Sequence, residues 1–460
     1  MSQHLTAPTG QLPSPAEDMA PVSAGRTLVA ALLGFFLITL DASVVNVALP
    51  AIGDELNGGL SALQWVVDGY TLAFAALMLS TGALSDRIGA GRAHSGGVVV
   101  FAAASLACGA APGLGVLIGA RVLQGVAAAV VLPSSLALVR QAYPDAARRA
   151  RAISLWAVGG SSAIALGPVV GGALTTAWSW RAIFFVNLPV AVLTLLLPGR
   201  GTERAVPRRV PLDLPGQLTA VLALAALTFA VIEGGGAGWA AAGVAAVSTA
   251  AFILIESRQP HPVVPLGLFR NPVVTVSIAA GAALSVGFYG MFFVLGLFFQ
   301  ELRGQSALTA GLMFLPMTVL ISSVNVVSGR ITNRYGPRLP MIAGQLLMAA
   351  GLLLLLPVGT GTPAAALAAA MVPLGLGGAL AVPPLTAATM GAVPADRAGL
   401  AAGVLNAGRQ VAGGLSVALF GSLVADRSRF LTGMRESLLI AAALVSLTAI
   451  ATALALRPRP

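Results

Sequence analysis

Long apolar stretches recur through this 460-residue chain and constrain its fold more than any other feature. A bilayer-spanning helix needs about 20 mostly apolar residues. A soluble domain carries about a quarter charged residues, whereas this chain carries only 9%. The sequence therefore predicts an all-α integral membrane protein. Fourteen stretches are candidate spans, at 28–50, 63–83, 96–111, 114–140, 153–176, 182–198, 214–233, 238–256, 273–298, 306–327, 340–358, 363–390, 402–424 and 437–456. The third stretch is short, so a count of twelve or thirteen stays open.

The arginines predict how these spans are oriented. The chain has no lysine, and its formal net charge is +10. When the amino terminus is placed inside, most arginines fall in inner loops, and the outer loops hold only Arg181, Arg303, Arg427, Arg429 and Arg435. Because cytoplasmic loops collect positive charge, both termini are predicted to be cytoplasmic, in a bacterial plasma membrane. The arginines are spread over short loops and form no single basic face for nucleic acid.

An internal repeat predicts two related bundles. The segment GALSDRIGAGR, after the second stretch, matches GRITNRYGPR, after the tenth, and such repeats are usual in transporters. We expect one six-helix bundle at 26–199 and another at 271–460, with a linker and two inserted helices at 200–270. Residues 1–25 are polar and rich in Pro, Ser and Thr, and are predicted to be a disordered cytosolic tail.

Asp41 lies inside the first apolar stretch, in LITLDASVVNVALP. Ionisable residues at membrane depth are costly and are functional by default. Arg121, in the fourth stretch, is predicted to lie at a similar depth. A protonatable acid near a fixed positive charge can load and release a proton, which makes these two residues candidates for proton coupling. Structural alternatives stay open for both, and Asp68, in WVVDGY, is a second candidate proton site.

Two glycine-containing motifs are candidates for conformational control. GALSDRIGAGR is predicted to form a tight cytoplasmic turn that acts as a gate, although a plain positively charged loop would need only its arginines; the motif residues are Gly82, Asp86, Arg87, Gly89 and Arg92. LGPVVGG, in the fifth stretch, combines a helix-kinking proline with glycines that allow close helix approach. Its residues are Gly167, Pro168, Gly171 and Gly172, and a simple small-residue packing face explains this motif equally well.

Polar and aromatic side chains elsewhere in the spans are candidates for lining a central cavity. They are Asn46, Gln124, Phe288, Tyr289, Phe292, Asn325, Asn406 and Arg409. For any single aromatic residue, core packing is an alternative role. Arg409 could instead extend its charge to the inner membrane surface.

These motifs together resemble the signature motifs of the drug:proton antiporters of the major facilitator superfamily. The resemblance rests on GALSDRIGAGR, ARVLQGVAAA, LGPVVGG and LDASVVNVALP, and WSWRAIFFVNLP and FILIESRQPHPVVPLGLFR are similar to the fourteen-helix branch. It implies a major facilitator fold of two six-helix bundles with an inserted pair of helices. It also implies that Asp41 takes part in proton coupling, that Arg121 assists proton transfer, and that Asp86 and Arg87 stabilise one state of the cycle.

The chain departs from the family pattern at two places. Ala163 stands where the pattern favours a further glycine, four positions before Gly167. The tenth stretch, FLPMTVLISSVNVV, contains no acid, whereas some exporters of dicationic drugs carry one there. This weakens any expectation of divalent cationic substrates.

The sequence thus predicts a secondary active exporter of amphipathic small molecules that works by alternating access and is driven by the proton gradient. We expect a monomer with no cofactor, whose partners are a small-molecule substrate, protons and the lipid bilayer. A carrier of one metabolite and a transport-inactive sensor remain alternatives. An enzyme is not expected, because His4, His94 and His261 lie outside the predicted spans, no metal-binding spacing occurs, and a chain without lysine has no Gly-Lys phosphate-binding loop.

Overall fold

A computed structural model describes residues 21–197, 213–260, 262, 264–394 and 397–456, and these residues form helices and their connections, without a strand. Most of the predicted tail and of the linker between the bundles lies outside the described residues. The first helix includes residues 21–25, which the sequence analysis assigned to the tail. The prediction of an all-helical protein is confirmed for this part of the chain.

Eighteen α-helical segments follow one another in the described residues. They are α1 Pro21–Leu56, α2 Leu60–Ile88, α3 Ala90–Gly109, α4 Leu114–Ala142, α5 Ala146–Ala177, α6 Ala182–Phe185, α7 Asn187–Leu196, α8 Leu214–Glu233, α9 Gly235–Arg258, α10 Pro272–Ser285, α11 Met291–Leu297, α12 Ala307–Met313, α13 Leu315–Thr318, α14 Ile321–Tyr335, α15 Arg338–Leu354, α16 Ala364–Gly391, α17 Ala398–Val424 and α18 Phe430–Ala455. Two π-helical turns, Val286–Gly290 and Phe298–Leu302, precede and follow α11.

Ten helical segments in the described ranges are long and apolar enough to cross a membrane. Two shorter apolar helices, Ala182–Leu196 and Arg338–Leu354, accompany them. Length and composition therefore place this chain among multi-span membrane proteins. The count of fourteen spans stays a prediction.

Two tight turns separate helices at equivalent points of the sequence repeat. Gly89 joins α2 to α3 with a φ of 92°, and Gly336 follows α14 with a φ of 80°. Glycine adopts such left-handed values readily because it has no Cβ. The two copies of the motif thus share a backbone conformation as well as a sequence pattern.

Each long helix packs against particular neighbours, some of them distant in the sequence. α1 lies against α4 and α5, α2 against α4 and α17, and α12 against α5. α8 and α9 pack on each other, and α8 also contacts α2 and α17. The contacts of α2 with α17 and of α5 with α12 join the first part of the chain to the last.

These long-range contacts are tightest at the side where α1 ends and α2 begins, which the arginines predict to be the outer side. There Gln64 donates hydrogen bonds to the carbonyls of Val417 and Ala418, at 3.1 and 2.7 Å. The Leu308 amide binds Thr176 Oγ1 at 3.2 Å. At the opposite side, a Cβ added to Gly82 or Gly329 would meet no described heavy atom within 4 Å. Hydrogen bonds thus join the first and last parts of the chain at the predicted outer end, whereas Gly82 and Gly329 at the opposite end have open space beside them.

Candidate functional site

Asp41 and Arg121 form a buried ion pair. Asp41 is on α1 and Arg121 on α4, and Arg121 Nη1 contacts Asp41 Oδ2. Their side chains are 0% and 1% exposed. The pairing that the sequence left open is therefore present. Removing one partner of such a pair leaves an uncompensated buried charge, which costs about 3–5 kcal/mol.

Two amides and a hydroxyl complete the surroundings of the Asp41 carboxylate. Asn187, on α7, donates to Asp41 Oδ1 at 2.7 Å, and Gln124, on α4, donates to the same oxygen at 3.1 Å. Both amides also bind Ser105 Oγ of α3, at 3.3 and 2.8 Å. Asn187, Gln124 and Ser105 are each 0% exposed. Four helices, α1, α3, α4 and α7, therefore converge on one carboxylate.

Arg121 is also held by groups other than Asp41. Its Nε donates to the Val66 carbonyl of α2 at 3.0 Å, and its Nη1 donates to Gln124 Oε1 at 2.8 Å. The guanidinium lies over the Tyr70 ring, 4.4 Å from its centroid, where a cation–π attraction stabilises it. Arg121 thus pairs with the acid and also anchors a carbonyl, while its part in proton coupling stays a prediction.

Asn187, Ser105 and Tyr70 were not predicted from the sequence to belong to this site. Asn187 lies in WSWRAIFFVNLP and is the only amide in α7, whose one other polar residue is Thr194. Such a residue at membrane depth needs a partner, and this was the signal that could have identified it. Gln124 was predicted to line a cavity, whereas in this structure it is enclosed within the network around Asp41.

Asp68 lies on α2 with its side chain 0% exposed. Neither of its carboxylate oxygens has a hydrogen-bond partner among the described residues. The carboxylate faces α17, because a Cβ on Gly414 would be 3.4 Å from Asp68 Oδ1. One helical turn away, Gln64 makes its bonds to the same helix. Asp68 is therefore buried at the contact between α2 and α17.

The LGPVVGG motif joins α5 to two different helices. A Cβ on Gly167 would overlap Ser43 of α1, and one on Gly171 would be 2.6 Å from the Val44 carbonyl oxygen. Gly172 faces the Ala307 carbonyl at the start of α12, and Gly311 of α12 faces the Pro168 carbonyl. The glycines are thus required for close helix approach, both beside Asp41 on α1 and across the contact with α12.

The GALSDRIGAGR motif lies at the end of α2 and the start of α3. Arg87 and Arg92 are exposed, and Gly89 forms the turn between the helices. Gly82 lies within α2 with open space beside it. The side chain of Asp86 lies outside the described residues, so its predicted gating role stays a prediction.

The predicted cavity-lining residues divide into two groups. Phe292 is 5% exposed and stacks on Phe314 with ring centroids 4.2 Å apart. Asn46 is 9% exposed and donates to the Ala42 carbonyl of its own helix at 3.0 Å. These two residues are therefore packed within the bundle. The others are partly exposed, namely Phe288, Tyr289, Asn325, Asn406 and Arg409.

His94 was predicted to lie outside the spans, and the structure places it in α3, which begins at Ala90, six residues before the predicted stretch. Its side chain is 1% exposed, and its ring occupies the space beside Gly34 of α1. Its position relative to the membrane stays a prediction. His4 and His261 lie outside the described residues. Among the residues that are described, no three His, Cys, Asp or Glu side chains form a metal-binding group.

Comparisons with known proteins agree with the resemblance to the major facilitator superfamily, while the fourteen-helix branch stays a prediction. The sequence profile described as the Major Facilitator Superfamily matches residues 31–417. The chain is 39% identical to multidrug resistance protein Stp of Mycobacterium tuberculosis over 409 residues, which are 87% of this chain and 75% of that protein. It is 37% identical to the methylenomycin A resistance protein of Streptomyces coelicolor over 420 residues, which are 90% and 88% of the two chains.

A solved structure has a similar fold. It is the crystal structure of a bacterial homologue of the human lysosomal transporter Spinster, in an inward-facing and occupied conformation. The TM-score is 0.64 with 16% identity, and the match covers 95% of this chain and 97% of the other. At this identity the likeness concerns the fold alone.

Proposed function

Because the chain belongs to the Major Facilitator Superfamily, we propose that it exports amphipathic small molecules across the cell membrane in exchange for protons. Membership of this family makes it a transporter rather than an enzyme. The names of its relatives support export, since they describe multidrug resistance, resistance to single antibiotics and drug efflux. The bacterial origin of these relatives supports a bacterial plasma membrane as its location.

The single observation that carries proton coupling is the enclosed pair of Asp41 and Arg121. While Asp41 is ionised, its charge holds Arg121 and the amides of Gln124 and Asn187 in place. A proton that arrives from the outer water and binds the carboxylate removes that charge, and Arg121 then loses its counter-ion. The arrangement of α1, α3, α4 and α7 around the acid changes in response, and the proton leaves to the cytoplasm.

Asp68 supplies a second proton site at the contact between α2 and α17. A carboxylate buried without a hydrogen-bond donor is favoured in its neutral form. Protonated Asp68 therefore permits the closed outer contact, where Gln64 binds α17. Loss of this proton would place a bare charge in the contact and favour its opening, so proton binding and outer closure are coupled.

Alternating access is supported by the uneven contacts between the first and last parts of the chain. In the present arrangement, α2 with α17 and α5 with α12 close the outer end. LGPVVGG links this closure to the proton site, since its glycines contact α1 beside Asp41 and also α12. We assign the present arrangement to a state that opens towards the cytoplasm.

The finer architecture belongs to the same proposal. Two six-helix bundles with α8 and α9 as an inserted pair would give fourteen spans, and the mutual packing of α8 and α9 supports this count. The arginine distribution supports cytoplasmic termini. We further propose a monomer that uses the proton gradient without a cofactor.

The test uses inside-out vesicles that contain the native protein, Asp41→Asn or Asp68→Asn. A panel of antibiotics and lipophilic dyes is added, and proton release and substrate uptake are followed together. We expect the native protein to release protons when a substrate is added and Asp41→Asn to abolish this release. Asp68→Asn is expected to reduce the release and to retain substrate binding.

Three other outcomes would contradict parts of the proposal. Uptake against a gradient by Asp41→Asn would show that coupling lies elsewhere. Transport of one compound only would favour a carrier of a single metabolite. No movement of any compound by the native protein would favour a transport-inactive sensor.

A further inference from the structure

Arg409 is a cation within the stretch 402–424, which the sequence predicts to be a span, and the proposed transport cycle has no use for it. It lies near the middle of α17 and is partly exposed. Its Nη1 donates to Asn406 Oδ1 at 3.3 Å, and its Nε has no hydrogen-bond partner among the described residues. The two ion pairs in the described part of the chain are those of Arg121 with Asp41 and of Arg181 with Glu55. Arg409 therefore lacks a carboxylate partner there.

The side chain is held at this depth and does not extend along its helix to the inner surface. A Cβ on Gly281 would be 3.0 Å from Arg409 Cγ and 3.3 Å from its Cδ. Gly281 lies in the second half of α10, away from the inner end at Pro272. The aliphatic stem of Arg409 thus packs against the interior of α10, and its guanidinium remains within the bundle.

Other polar groups lie near this guanidinium. Tyr289 is one of these groups, because its ring packs on Gly413, which lies one turn beyond Arg409 along α17. Tyr289, Asn406 and Arg409 are all partly exposed. These three residues form a polar patch where α17 meets the π-helical turn Val286–Gly290.

A guanidinium without a counter-ion at membrane depth is costly, and it recovers that cost when a carboxylate binds it with charge-assisted hydrogen bonds. The acids at membrane depth in the described helices do not supply this partner, since Asp41 is paired with Arg121 and Asp68 faces Gly414. The tenth stretch carries no acid that would attract a cationic head group. The described helices therefore leave this guanidinium without a carboxylate.

We propose that Arg409, with Asn406 and Tyr289, forms an anion subsite, so that the exported molecules include amphipathic acids whose carboxylate docks on Arg409. This inference rests on the proposed exporter function and names its substrate class. It has an energetic consequence. Export of a monoanion in exchange for a proton moves more positive charge inward than export of a neutral molecule, so the membrane potential assists the export of acids.

Binding of three fluorescent probes to the purified full chain in phosphatidylcholine nanodiscs tests the subsite. The probes share a pyrene ring and a butyl chain and end in a carboxylate, a primary amide or a trimethylammonium group. The proteins are the native chain, Arg409→Gln, Arg409→Lys and Arg258→Gln. Arg258 is exposed at the end of α9 and serves as a matched loss of one positive charge.

We expect the native chain to bind the carboxylate at least about tenfold more tightly than the amide, because hydrogen bonds to charged groups are the strong ones. Arg409→Gln should remove this preference. Its affinity for the amide should stay within about twofold of the native value, and this unchanged affinity would show that the variant is folded. Arg409→Lys should restore part of the preference, and Arg258→Gln should not change it.

Equal native affinity for the acid and the amide would overturn the subsite, as would no binding of the acid or a preference that survives Arg409→Gln. These results would leave the exporter proposal intact, because binding in nanodiscs needs no proton gradient. Conversely, the native chain could bind the carboxylate probe as expected in nanodiscs and release no protons in the vesicle experiment. That result would contradict proton-coupled export and not the subsite.

Discussion

A single carboxylate, Asp41, is stabilised inside the bundle by donors that come from two other helices, α4 and α7. Arg121 supplies the charge, and Asn187 and Gln124 supply amide donors at 2.7 and 3.1 Å. Each donor is needed because the site is closed to water, so an oxygen that loses a donor has no replacement. A substitution at any of these three donors is therefore expected to weaken the stabilisation of the Asp41 carboxylate.

Replacing Asn187 with leucine is expected to lower the free energy of unfolding by about 1–3 kcal/mol, because Asp41 Oδ1 then loses its 2.7 Å donor. Thermal unfolding in detergent measures this change. Asn325→Leu is the matched control, since Asn325 is partly exposed and makes only a 3.4 Å bond to Ser161. Equal unfolding temperatures for the two variants would contradict a stabilising role for Asn187.

The two buried acids should respond differently to conversion into asparagine. Asp41→Asn leaves Arg121 without a counter-ion and is expected to cost about 3–5 kcal/mol. Asparagine has nearly the same shape as aspartate, and no described group donates a hydrogen bond to Asp68 that the substitution would remove. Asp68→Asn is therefore expected to change the free energy of unfolding by less than about 1 kcal/mol. Chemical denaturation of both variants in the same detergent compares them. A larger loss for Asp68→Asn would show that Asp68 is ionised and paired in the folded protein.

At the scale of helices, α5 serves as a packing element on two sides. Glycines bring it against α1 next to the proton site and against α12 across the long-range contact. Pro168 lies between these glycines, and its carbonyl faces Gly311. The motif therefore works through close backbone approach, which a side chain of any size would prevent.

Gly171→Ala is expected to destabilise the protein, since the new Cβ would be 2.6 Å from the Val44 carbonyl oxygen. A methyl group forced into a packed contact typically costs about 1–3 kcal/mol. Gly119→Ala is the control, because no heavy atom lies within 4 Å of its added Cβ inside α4. That substitution should be neutral or stabilising by up to about 1 kcal/mol. The opposite order of unfolding temperatures would exclude a tight contact between α5 and α1.

At the scale of the whole molecule, closure is uneven between the two ends. At the predicted outer end, Gln64 and Leu308 donate hydrogen bonds that join the first and last parts of the chain. At the opposite end, Gly82 and Gly329, in the two copies of the loop motif, have open space beside them. Packing in this state does not explain why these two positions are glycine, because a larger side chain would fit there. Another helix would approach these positions only if the inner end closed.

Labelling of single cysteines on α2 tests this asymmetry. In a Cys108→Ser background, Gly82→Cys is expected to react quickly with a maleimide and Gln64→Cys slowly, since Gln64 is 2% exposed. The native Cys108 is buried, and its replacement by serine ensures that it does not contribute to the reaction. A proton gradient that drives the opposite state should reverse the two rates. Rates that are equal and insensitive to the gradient would contradict two alternating states.

Much of the site could be predicted one residue at a time. Asp41, Arg121 and Asp68 stand out in the sequence because a charge in an apolar stretch is costly and needs a reason. Asn187 and Ser105 were missed because an uncharged polar residue in a helix carries a weaker signal. The helical start of α3, which contains His94, was not predicted because it is polar enough to be taken for a loop.

The sequence by itself determined that the chain is a multi-span helical membrane protein, since hydropathy depends on composition along the chain and not on how helices meet. It also determined which charges lie at membrane depth. Only the tertiary structure decided that Asp41 binds Arg121. It also decided that, among the described residues, Asp68 has no hydrogen-bond partner and Arg409 has no carboxylate partner. Residues 80 positions apart, such as Asp41 and Arg121, meet only through helix packing, and packing depends on the shapes of all the surrounding side chains.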